Sequence, residues 1–374
     1  MSSSDGHLHF VQSTEPLEGG GLGRAALALN DAFNTAGRPS LLVSTDAREA
    51  PPALDNARLY TRQGPTPLFY APGLRQEARG LVEARRVVHA HGFYVYPNKV
   101  LGGWARRLKR ALVCHPHGMF EPWILKRSRW KKRLVHWLFE DANFRHACLW
   151  RALTSKEAEQ VRALGLTGEI VVAPNGIDLA PFEDAAIAPA SKERRRLLFL
   201  GRLHPKKGID LLLRAASQSP AFQAGWEIVV AGPDEGGHLA ELQAVVRELR
   251  LEARVTFPGT VTGADKVSLL RSADVFALTS HSEGFSVAIL ESMACGVPVL
   301  GSHACNFPEL ARDGGGWLCE AEVASVRTSL EGALACTDEE RQQRGRTGQE
   351  LVRQRYTWQA VAQTLLEACD AHCH

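Results

Sequence analysis

The chain has 374 residues, of which 45% are hydrophobic and 23% are charged, and its formal net charge is +3. This composition is close to the average for soluble globular proteins and excludes a disordered or fibrous chain. The length predicts two domains of ordinary size, and the small net charge gives no support for a nucleic-acid partner.

The termini carry few targeting signals. The polar stretch 1–10 has no basic region followed by an apolar one, which predicts no secretory signal, and no apolar run reaches the roughly 18 residues of a membrane span. The eight cysteines form no CxxC pair, so we expect reduced thiols in a cytoplasmic protein. Cys369, His372, Cys373 and His374 cluster at the tail, which we expect to fray instead of holding a metal site.

Short apolar runs alternate with helical patterns in two series, which predicts two α/β domains with parallel sheets. The predicted strands of the first series are 7–13, 40–44, 86–90, 111–115, 148–154 and 169–173. Those of the second are 197–201, 226–232, 254–258, 275–279, 297–301 and 316–319. We therefore predict an N-terminal domain over 1–175, a linker over 176–196, a C-terminal domain over 197–356 and a closing helix within 357–374 that completes the first domain. A cleft between two such domains is the expected ligand site.

The first domain begins with a glycine loop, Glu18 to Ala26, after the first predicted strand. Gly20 and Gly21 are placed for close backbone approach to a ligand. The run Gly21 to Ala26 also fits the GxGxxA dinucleotide fingerprint, with Asp46 at about the expected distance. However, the residues 14–18 separate these glycines from the strand, whereas the dinucleotide turn should follow a strand immediately.

Further along the first domain, the sequence His115-Pro-His117-Gly follows a strand. We expect His117 to hydrogen-bond a sugar hydroxyl or an acceptor, with His115 and Glu121 as further acceptor-side candidates. The segment 123–137 has six basic residues within 126–133 and a tryptophan at every seventh position. This pattern is typical either of an interfacial helix at an anionic membrane or of a surface helix that packs its tryptophans inward.

The second domain contains two stretches suited to a phosphorylated sugar. Arg202 and Lys207 follow the first strand of this domain, where they are placed to hold phosphate oxygens without a metal ion. Glu283 precedes a helix that contains Glu291, and the first N–H groups of that helix are free to bind phosphate or sugar hydroxyls. Glu291 lies among apolar neighbours and needs hydrogen-bond partners, which ribose hydroxyls would supply.

With these motifs in place, the chain resembles family 4 glycosyltransferases of the GT-B fold, a family that includes many bacterial lipopolysaccharide and exopolysaccharide enzymes. The resemblance implies two Rossmann-like domains facing across a cleft. It also implies a retaining, metal-independent transfer of a sugar from a nucleotide diphosphate sugar to a glycan or lipid-linked acceptor in cell-surface polysaccharide biosynthesis, with no cofactor. By resemblance, Arg202 and Lys207 hold the diphosphate, Glu283 meets the transferred sugar, and Glu291 holds the ribose.

The resemblance also assigns smaller roles. His117 would line the sugar site and Gly20 and Gly21 would close over the phosphates. The remaining donor-binding residues are Gly284, Phe285, Ser286 and Val287. Ser286 departs from the glycine that many relatives have, which leaves the phosphate contacts there open.

Other functions fit parts of the sequence. A nucleotide-sugar epimerase or hydrolase on the same fold would need an acid/base pair at the sugar carbon, and no such pair is evident. An NAD-dependent oxidoreductase rests on Gly21, Gly23, Ala26 and Asp46 and leaves the second half unexplained. A non-catalytic binder of nucleotide sugars would not require the glutamates and basic residues to be present together.

Overall fold

The computed structural model describes residues 6–15, 20–46, 55–63, 69–120 and 140–373. Glu121 and the basic, tryptophan-rich segment 123–137 lie outside these residues. The chain divides into two units: unit 1 comprises Met1–Gly176 and Trp358–His374, and unit 2 comprises Ile177–Thr357.

The sheet of unit 1 is built from seven parallel strands in the order β3-β2-β1-β4-β5-β6-β7. The strands are β1 His7–Val11, β2 Ser40–Asp46, β3 Ala57–Thr61, β4 Val87–His91, β5 Ala111–His115, β6 Ala147–Ala152 and β7 Glu169–Val172. The central strands are buried on both faces, as β-branched and other apolar runs in parallel sheets generally are.

The sheet of unit 2 has six parallel strands in the order β10-β9-β8-β11-β12-β13. These are β8 Arg195–Leu200, β9 Trp226–Ala231, β10 Val255–Gly259, β11 Val275–Leu278, β12 Val299–Ser302 and β13 Gly316–Cys319. In both units the chain order reverses beside the first strand, which is the doubly wound arrangement that binds ligands at the carboxyl ends of the strands. The prediction of two Rossmann-like domains is confirmed.

Helices connect the strands within each unit. In unit 1 they are α1 Gly20–Thr35, α2 Pro72–Glu83, α3 Tyr96–Arg107, α4 Asp141–His146 and α5 Ser155–Ala163. In unit 2 they are α6 Ala180–Glu183, α7 Ile209–Ser217, α8 Pro220–Gln223, α9 His238–Glu248, α10 Gly263–Arg271, α11 Val287–Ala294, α12 Glu309–Arg312, α13 Val323–Ala335 and α14 Asp338–Arg355. The last helix, α15 Trp358–His372, belongs to unit 1 and packs beside α1.

Two details differ from the sequence predictions. The edge strand β3 was missed because its side chains are mostly half-buried or exposed and include Arg58, so the apolar signal is weak. The tail was expected to fray, but Cys369 and Cys373 are 1% and 0% exposed. The apolar face of α15 anchors them, since Val361, Leu365 and Leu366 join the same hydrophobic cluster.

Candidate functional site

The carboxyl edge of the unit 2 sheet brings together two residues that are distant in sequence. Lys207 follows β8 and Glu283 follows β11, and the Lys207 Nζ lies 2.5 Å from Glu283 Oε1. The Ser280 hydroxyl donates to the same carboxylate oxygen at 2.7 Å. The two side chains are only 16% and 9% exposed, so the pair is a partly desolvated ion pair at the rim of the sheet.

Backbone contacts fix the loop that carries Lys207. Gly208 has φ +61°, and a Cβ atom there would lie 2.2 Å from the Thr279 carbonyl oxygen, so only glycine fits this close approach. The Thr279 hydroxyl donates to the Gly208 carbonyl at 2.7 Å, and the His281 N–H donates to the Lys206 carbonyl at 2.9 Å. The loops after β8 and β11 are thus held against each other, which sets the Lys207–Glu283 distance.

The segment after β12 supports Glu283 from the other side. The Asn306 amide donates to the Glu283 carbonyl at 2.7 Å, and the Glu283 N–H donates to the Ala304 carbonyl at 3.0 Å. Asn306 has φ +60°, a conformation that asparagine tolerates better than most residues. Sequence reasoning did not assign Asn306, although its place after a buried strand gave a signal.

Helix α11 begins directly after this loop. Its N-cap residue, Ser286, makes no side-chain cap, so the first N–H groups of the helix keep their capacity to bind an anion. Further along α11, Glu291 Oε1 lies 2.6 Å from Lys266 Nζ, and the two side chains are 14% and 27% exposed. The need of Glu291 for a partner was predicted, but Lys266 as that partner was missed.

The other donor-side predictions lie around this network. Arg202 is 65% exposed, and its guanidinium bonds to the Glu235 carboxylate at 2.8 Å, so the structure does not bring it to the Lys207–Glu283 pair. Gly284 follows Glu283, and the Phe285 ring lies 5.0 Å from the Phe307 ring. Val287 is 42% exposed at the first turn of α11.

A cavity of about 520 Å³ borders the same loops. Its walls come from the helices α7 and α9 and from the residues Pro205, Lys206 and His281. It does not include Lys207, Glu283 or Glu291, so the paired charges lie beside this cavity and not in it.

Histidines run across one face of the unit 1 sheet, from the start of β1 to just beyond the end of β5. The sequences His7-Leu-His9, His89-Ala-His91 and His115-Pro-His117 lie along the neighbouring strands β1, β4 and β5, with His117 two residues past the end of β5, and the register pairs His9 with His89 and His91 with His115. The paired rings stack at 4.2 and 4.1 Å. We call these six residues the histidine stack.

Hydrogen bonds run diagonally through the histidine stack in two chains. In the first, His7 Nδ1 lies 2.9 Å from His89 Nε2, and His89 Nδ1 lies 3.1 Å from His115 Nε2. In the second, both distances are 3.0 Å, from His9 Nδ1 to His91 Nε2 and from His91 Nδ1 to His117 Nε2. A neutral imidazole has one donor and one acceptor nitrogen, so such chains suit neutral rings. The stack was missed, although a repeated HxH on three strands was its signal.

Burial favours the neutral form of His9, His91, His115 and His117. Desolvation, reinforced by neighbouring histidines and by Arg151, holds the pKa of His9, His91 and His115 well below the ordinary value. For His117, burial and then Arg151 lower the pKa to about 3.

His117 ends the second chain in a strained backbone conformation, with φ +51°. Non-glycine residues adopt this region rarely, and often at functional sites. His115 was predicted to contact an acceptor, but it is 1% exposed inside the histidine stack, which corrects that prediction. The Glu121 prediction lies outside the described residues.

The structure also shows the surroundings of Asp46 and of the glycines at the start of α1. The Asp46 carboxylate accepts hydrogen bonds from the hydroxyls of Ser13, Thr14 and Ser44, at 2.7, 3.0 and 2.7 Å, so it caps the end of β1. A carboxylate engaged in this way does not present itself to a ribose, which argues against the oxidoreductase interpretation. A Cβ atom on Gly23 would lie 2.4 Å from the Ser13 carbonyl, whereas Gly20 and Gly21 face open space.

The solved structures that resemble this chain share its fold. The Anabaena Alr3699/HepE structure in complex with UDP matches with a TM-score of 0.74 at 21% identity, covering 98% of this chain and 100% of that one. The structure of WaaG, a glycosyltransferase involved in lipopolysaccharide biosynthesis, matches with a TM-score of 0.64 at 16% identity, covering 98% and 99%. These likenesses place the chain in the GT-B fold class.

Sequence comparison adds the family. The model for glycosyl transferases group 1 matches residues 182–351, and the model for a glycosyl transferase 4-like domain matches residues 20–176. The chain therefore belongs to the family 4-like glycosyltransferases. The D-inositol 3-phosphate glycosyltransferase of Mycobacterium tuberculosis (strain ATCC 25618 / H37Rv) is 37% identical over 172 residues, which is 43% of this chain and 35% of the relative. The match thus spans about a third of the length of that relative.

Proposed function

We propose that this chain is a retaining glycosyltransferase that transfers a sugar from a nucleotide diphosphate sugar without a metal ion. The observation that carries the proposal is the Lys207–Glu283 ion pair, which lies at the carboxyl edge of the unit 2 sheet beside the uncapped start of α11. An ammonium group and free backbone N–H groups are suited to a diphosphate.

When the donor binds, Lys207 and Glu283 exchange their contact with each other for contacts with the donor. The diphosphate takes Lys207 as a counter-ion, and the Glu283 carboxylate then accepts hydrogen bonds from hydroxyls of the transferred sugar. Glu291 accepts from the ribose hydroxyls, and Lys266, whose Nζ lies 2.6 Å from Glu291 Oε1, orients its carboxylate. Arg202, which is exposed, turns from Glu235 to the diphosphate. Gly284, Phe285, Ser286 and Val287 contribute backbone around the sugar and phosphates.

Charge develops on the diphosphate as the sugar leaves, and fixed cationic groups and helix N–H groups stabilise it there. Lys207 and the first turn of α11 supply this stabilisation, so the proposal assigns no role to a divalent cation or other cofactor. The departing diphosphate accepts the proton of the acceptor hydroxyl, and the new bond forms on the face from which it leaves.

The acceptor side rests on unit 1. We assign His117 to a substrate hydroxyl and Gly20 and Gly21 to close backbone approach. A glycan or lipid-linked acceptor of cell-surface polysaccharide synthesis is favoured by the likeness to WaaG, a glycosyltransferase involved in lipopolysaccharide biosynthesis. The Mycobacterium tuberculosis relative is instead a D-inositol 3-phosphate glycosyltransferase. We place the protein in the cytoplasm, with the segment 123–137 as a peripheral membrane contact. Among the described residues, no helix combines the length and apolar character needed to cross a bilayer.

The experiment is a thermal-shift screen of nucleotide sugars, since a ligand that binds only the folded state raises the melting temperature by mass action. The donor identified is then incubated with candidate acceptors, and the anomeric configuration of the product is read by NMR. We expect the product to retain the anomeric configuration of the donor, and we expect transfer to proceed in the presence of EDTA. An inverted product, or activity that returns only with added Mg²⁺ or Mn²⁺, would contradict the proposal, and a free sugar or an isomerised donor would favour the hydrolase or epimerase.

A further inference from the structure

One face of the unit 1 sheet, covered by α1 and α15, places a thiol beside two imidazoles. His7 on β1, His89 on β4 and Cys369 on α15 each offer one ligand atom, and these atoms all lie within 4.8 Å of one another. The three residues are 2%, 0% and 1% exposed. His7 begins β1 and His89 lies in the middle of β4, whereas His117 lies beyond the end of β5.

We propose that His7, His89 and Cys369 bind a single divalent ion of the zinc class. Two imidazole nitrogens and one thiolate are borderline and soft donors, a set that zinc and its cobalt substitute prefer and that magnesium and calcium avoid. The three ligands leave a fourth tetrahedral position for water. The inference does not rest on the proposed transferase activity.

The hydrogen-bond chain already orients the ligands. His7 Nδ1 and His89 Nε2 point at each other at 2.9 Å, and the ion takes the place of the proton they share. Metal–nitrogen bonds of about 2.0–2.1 Å in tetrahedral geometry set the nitrogens about 3.3 Å apart, so the rings need to separate only slightly. His89 Nδ1 keeps its contact with His115 Nε2 at 3.1 Å. A ligating histidine usually has such a partner on its other nitrogen, which fixes the tautomer.

The surroundings favour one ion and one thiolate. The Phe33 ring meets His7 and His89 edge-on at 5.0 and 5.5 Å, which restricts the movement of both rings. Cys373 lies one helical turn beyond Cys369. Its thiol contacts that of Cys148, with 2.8 Å between the two Sγ atoms, as well as Cys369, and it is not one of the three residues whose ligand atoms cluster. On binding, the Cys369 thiol loses its proton to solvent and a sulfur–metal bond forms. The proton between His7 and His89 moves to His7 Nε2, and His89 keeps its proton on Nδ1, so both imidazoles coordinate as neutral ligands. The ion thereby ties α15 to the sheet.

The test uses the full chain, reduced and stripped with a chelator, and titrated with Co²⁺. We expect one ion per chain, with intense visible bands typical of tetrahedral cobalt and a near-ultraviolet band from sulfur-to-cobalt charge transfer. Displacement by Zn²⁺ should abolish both. This titration uses the wild-type chain, so misfolding of a variant cannot affect its result. Absence of the sulfur-to-cobalt band from the wild-type spectrum would overturn the proposal.

Variants then assign the ligands. Cys369→Ser should remove the sulfur band, and His89→Gln should weaken binding by at least about tenfold, with folding checked by circular dichroism. The matched control is Cys319→Ser, which removes a buried thiol in unit 2 and should leave the spectrum unchanged. A sulfur band that survives in Cys369→Ser and disappears in Cys373→Ser would refute the ligand set. Cobalt bound without a sulfur band and lost in His117→Asn would move the site to His91, His115 and His117, the other group with clustered ligand atoms.

Discussion

The two sheets arrange their polar groups in opposite ways: those of unit 2 lie at the carboxyl edge, and the histidines of unit 1 run across one face of the sheet toward that edge. In unit 2 the side chains are charged and paired, with Lys207 against Glu283 and Lys266 against Glu291, each partly open to solvent. In unit 1 the histidine stack is neutral and almost wholly buried, and its rings bond to one another. Both sheets have the same strand order around their first strand, so the difference comes from side chains and not from topology.

This difference matches two kinds of ligand. An ion pair can give up its cation to a charged ligand when the carboxylate left behind gains new hydrogen bonds, which suits a diphosphate that also brings sugar hydroxyls. A neutral ring at the end of a hydrogen-bond chain offers one donor or one acceptor, which suits a hydroxyl. We therefore expect electrostatic effects on activity to concentrate in unit 2 and pH effects on stability to concentrate in unit 1.

The largest effect is expected from Lys207→Ala. Removing a cation that stabilises the leaving group should lower kcat by about 10²–10³-fold, equivalent to about 3–4 kcal/mol. The measurement is steady-state transfer with the donor found by the thermal-shift screen.

The control for this variant is Lys192→Ala. Lys192 forms an ion pair with Asp274 at 2.6 Å, also in unit 2, but Asp274 immediately precedes β11, at the opposite edge of the sheet. Its loss should leave kcat near the wild-type value. Equal losses in both variants would show that unit 2 responds to any broken ion pair, and the role of Lys207 in the site would be refuted.

The next effect concerns His117 and acid. Its pKa is about 3 in the folded chain, well below the ordinary 6.5, so the unfolded chain binds the extra proton between these values. The stability due to this neutral ring is present above pH 6.5 and is lost as the pH falls toward 3, by about 1.4 kcal/mol per pH unit. Asparagine tolerates the left-handed backbone of His117, so His117→Asn is the variant of choice.

The measurement is urea unfolding of unit 1 in metal-free buffer from pH 7 to pH 5. The difference in unfolding free energy between wild type and His117→Asn should shrink as the pH falls. A difference that stays constant with pH would mean that His117 titrates normally, and the contrast between the two sheets would weaken.

Glu140, which is also in unit 1, should change the stability with pH in the direction opposite to that expected for His117. It is 1% exposed, and burial raises its pKa to about 7 although it accepts hydrogen bonds from Asn98 and from the Tyr94 N–H. The folded chain therefore binds the extra proton between pH 4.5 and 7, and this group makes the chain less stable as the pH rises through that window. Glu140→Gln removes the titration, so its stability relative to wild type should increase from pH 5 to pH 7 in the same urea assay. No change in that difference would show that Glu140 is ionised throughout.

The sequence predicted the strands and helices better than it predicted which side chains contact one another. Strands such as β5 and β13 were predicted at their observed bounds because buried parallel strands are nearly continuous apolar runs. The residues Lys207, Glu283 and Glu291 were predicted from their places at strand ends or in the following helix, and the structure shows them in ion pairs. The contacts of Lys266 and Asn306 were not predicted. Their contacts depend on how separate loops fold against one another, and spacing along the chain does not encode that distance. The histidine stack depends in the same way on the register between β1, β4 and β5.

The smallest effect is expected at Glu291. Glu291→Gln keeps a hydrogen-bonding oxygen but loses the charge, and charged hydrogen bonds are stronger than neutral ones by about 1 kcal/mol. Because the ribose contact is the same in the ground state and the transition state, the donor KM should rise roughly fivefold to tenfold with kcat nearly unchanged. The matched variant is Lys266→Met, which breaks the same ion pair from the other side and leaves the carboxylate in place. If Glu291 binds the donor directly, its substitution raises KM more than that of Lys266 does. Equal increases would mean that the pair acts only by holding α10 against α11, and the ribose contact would have to be assigned to another residue.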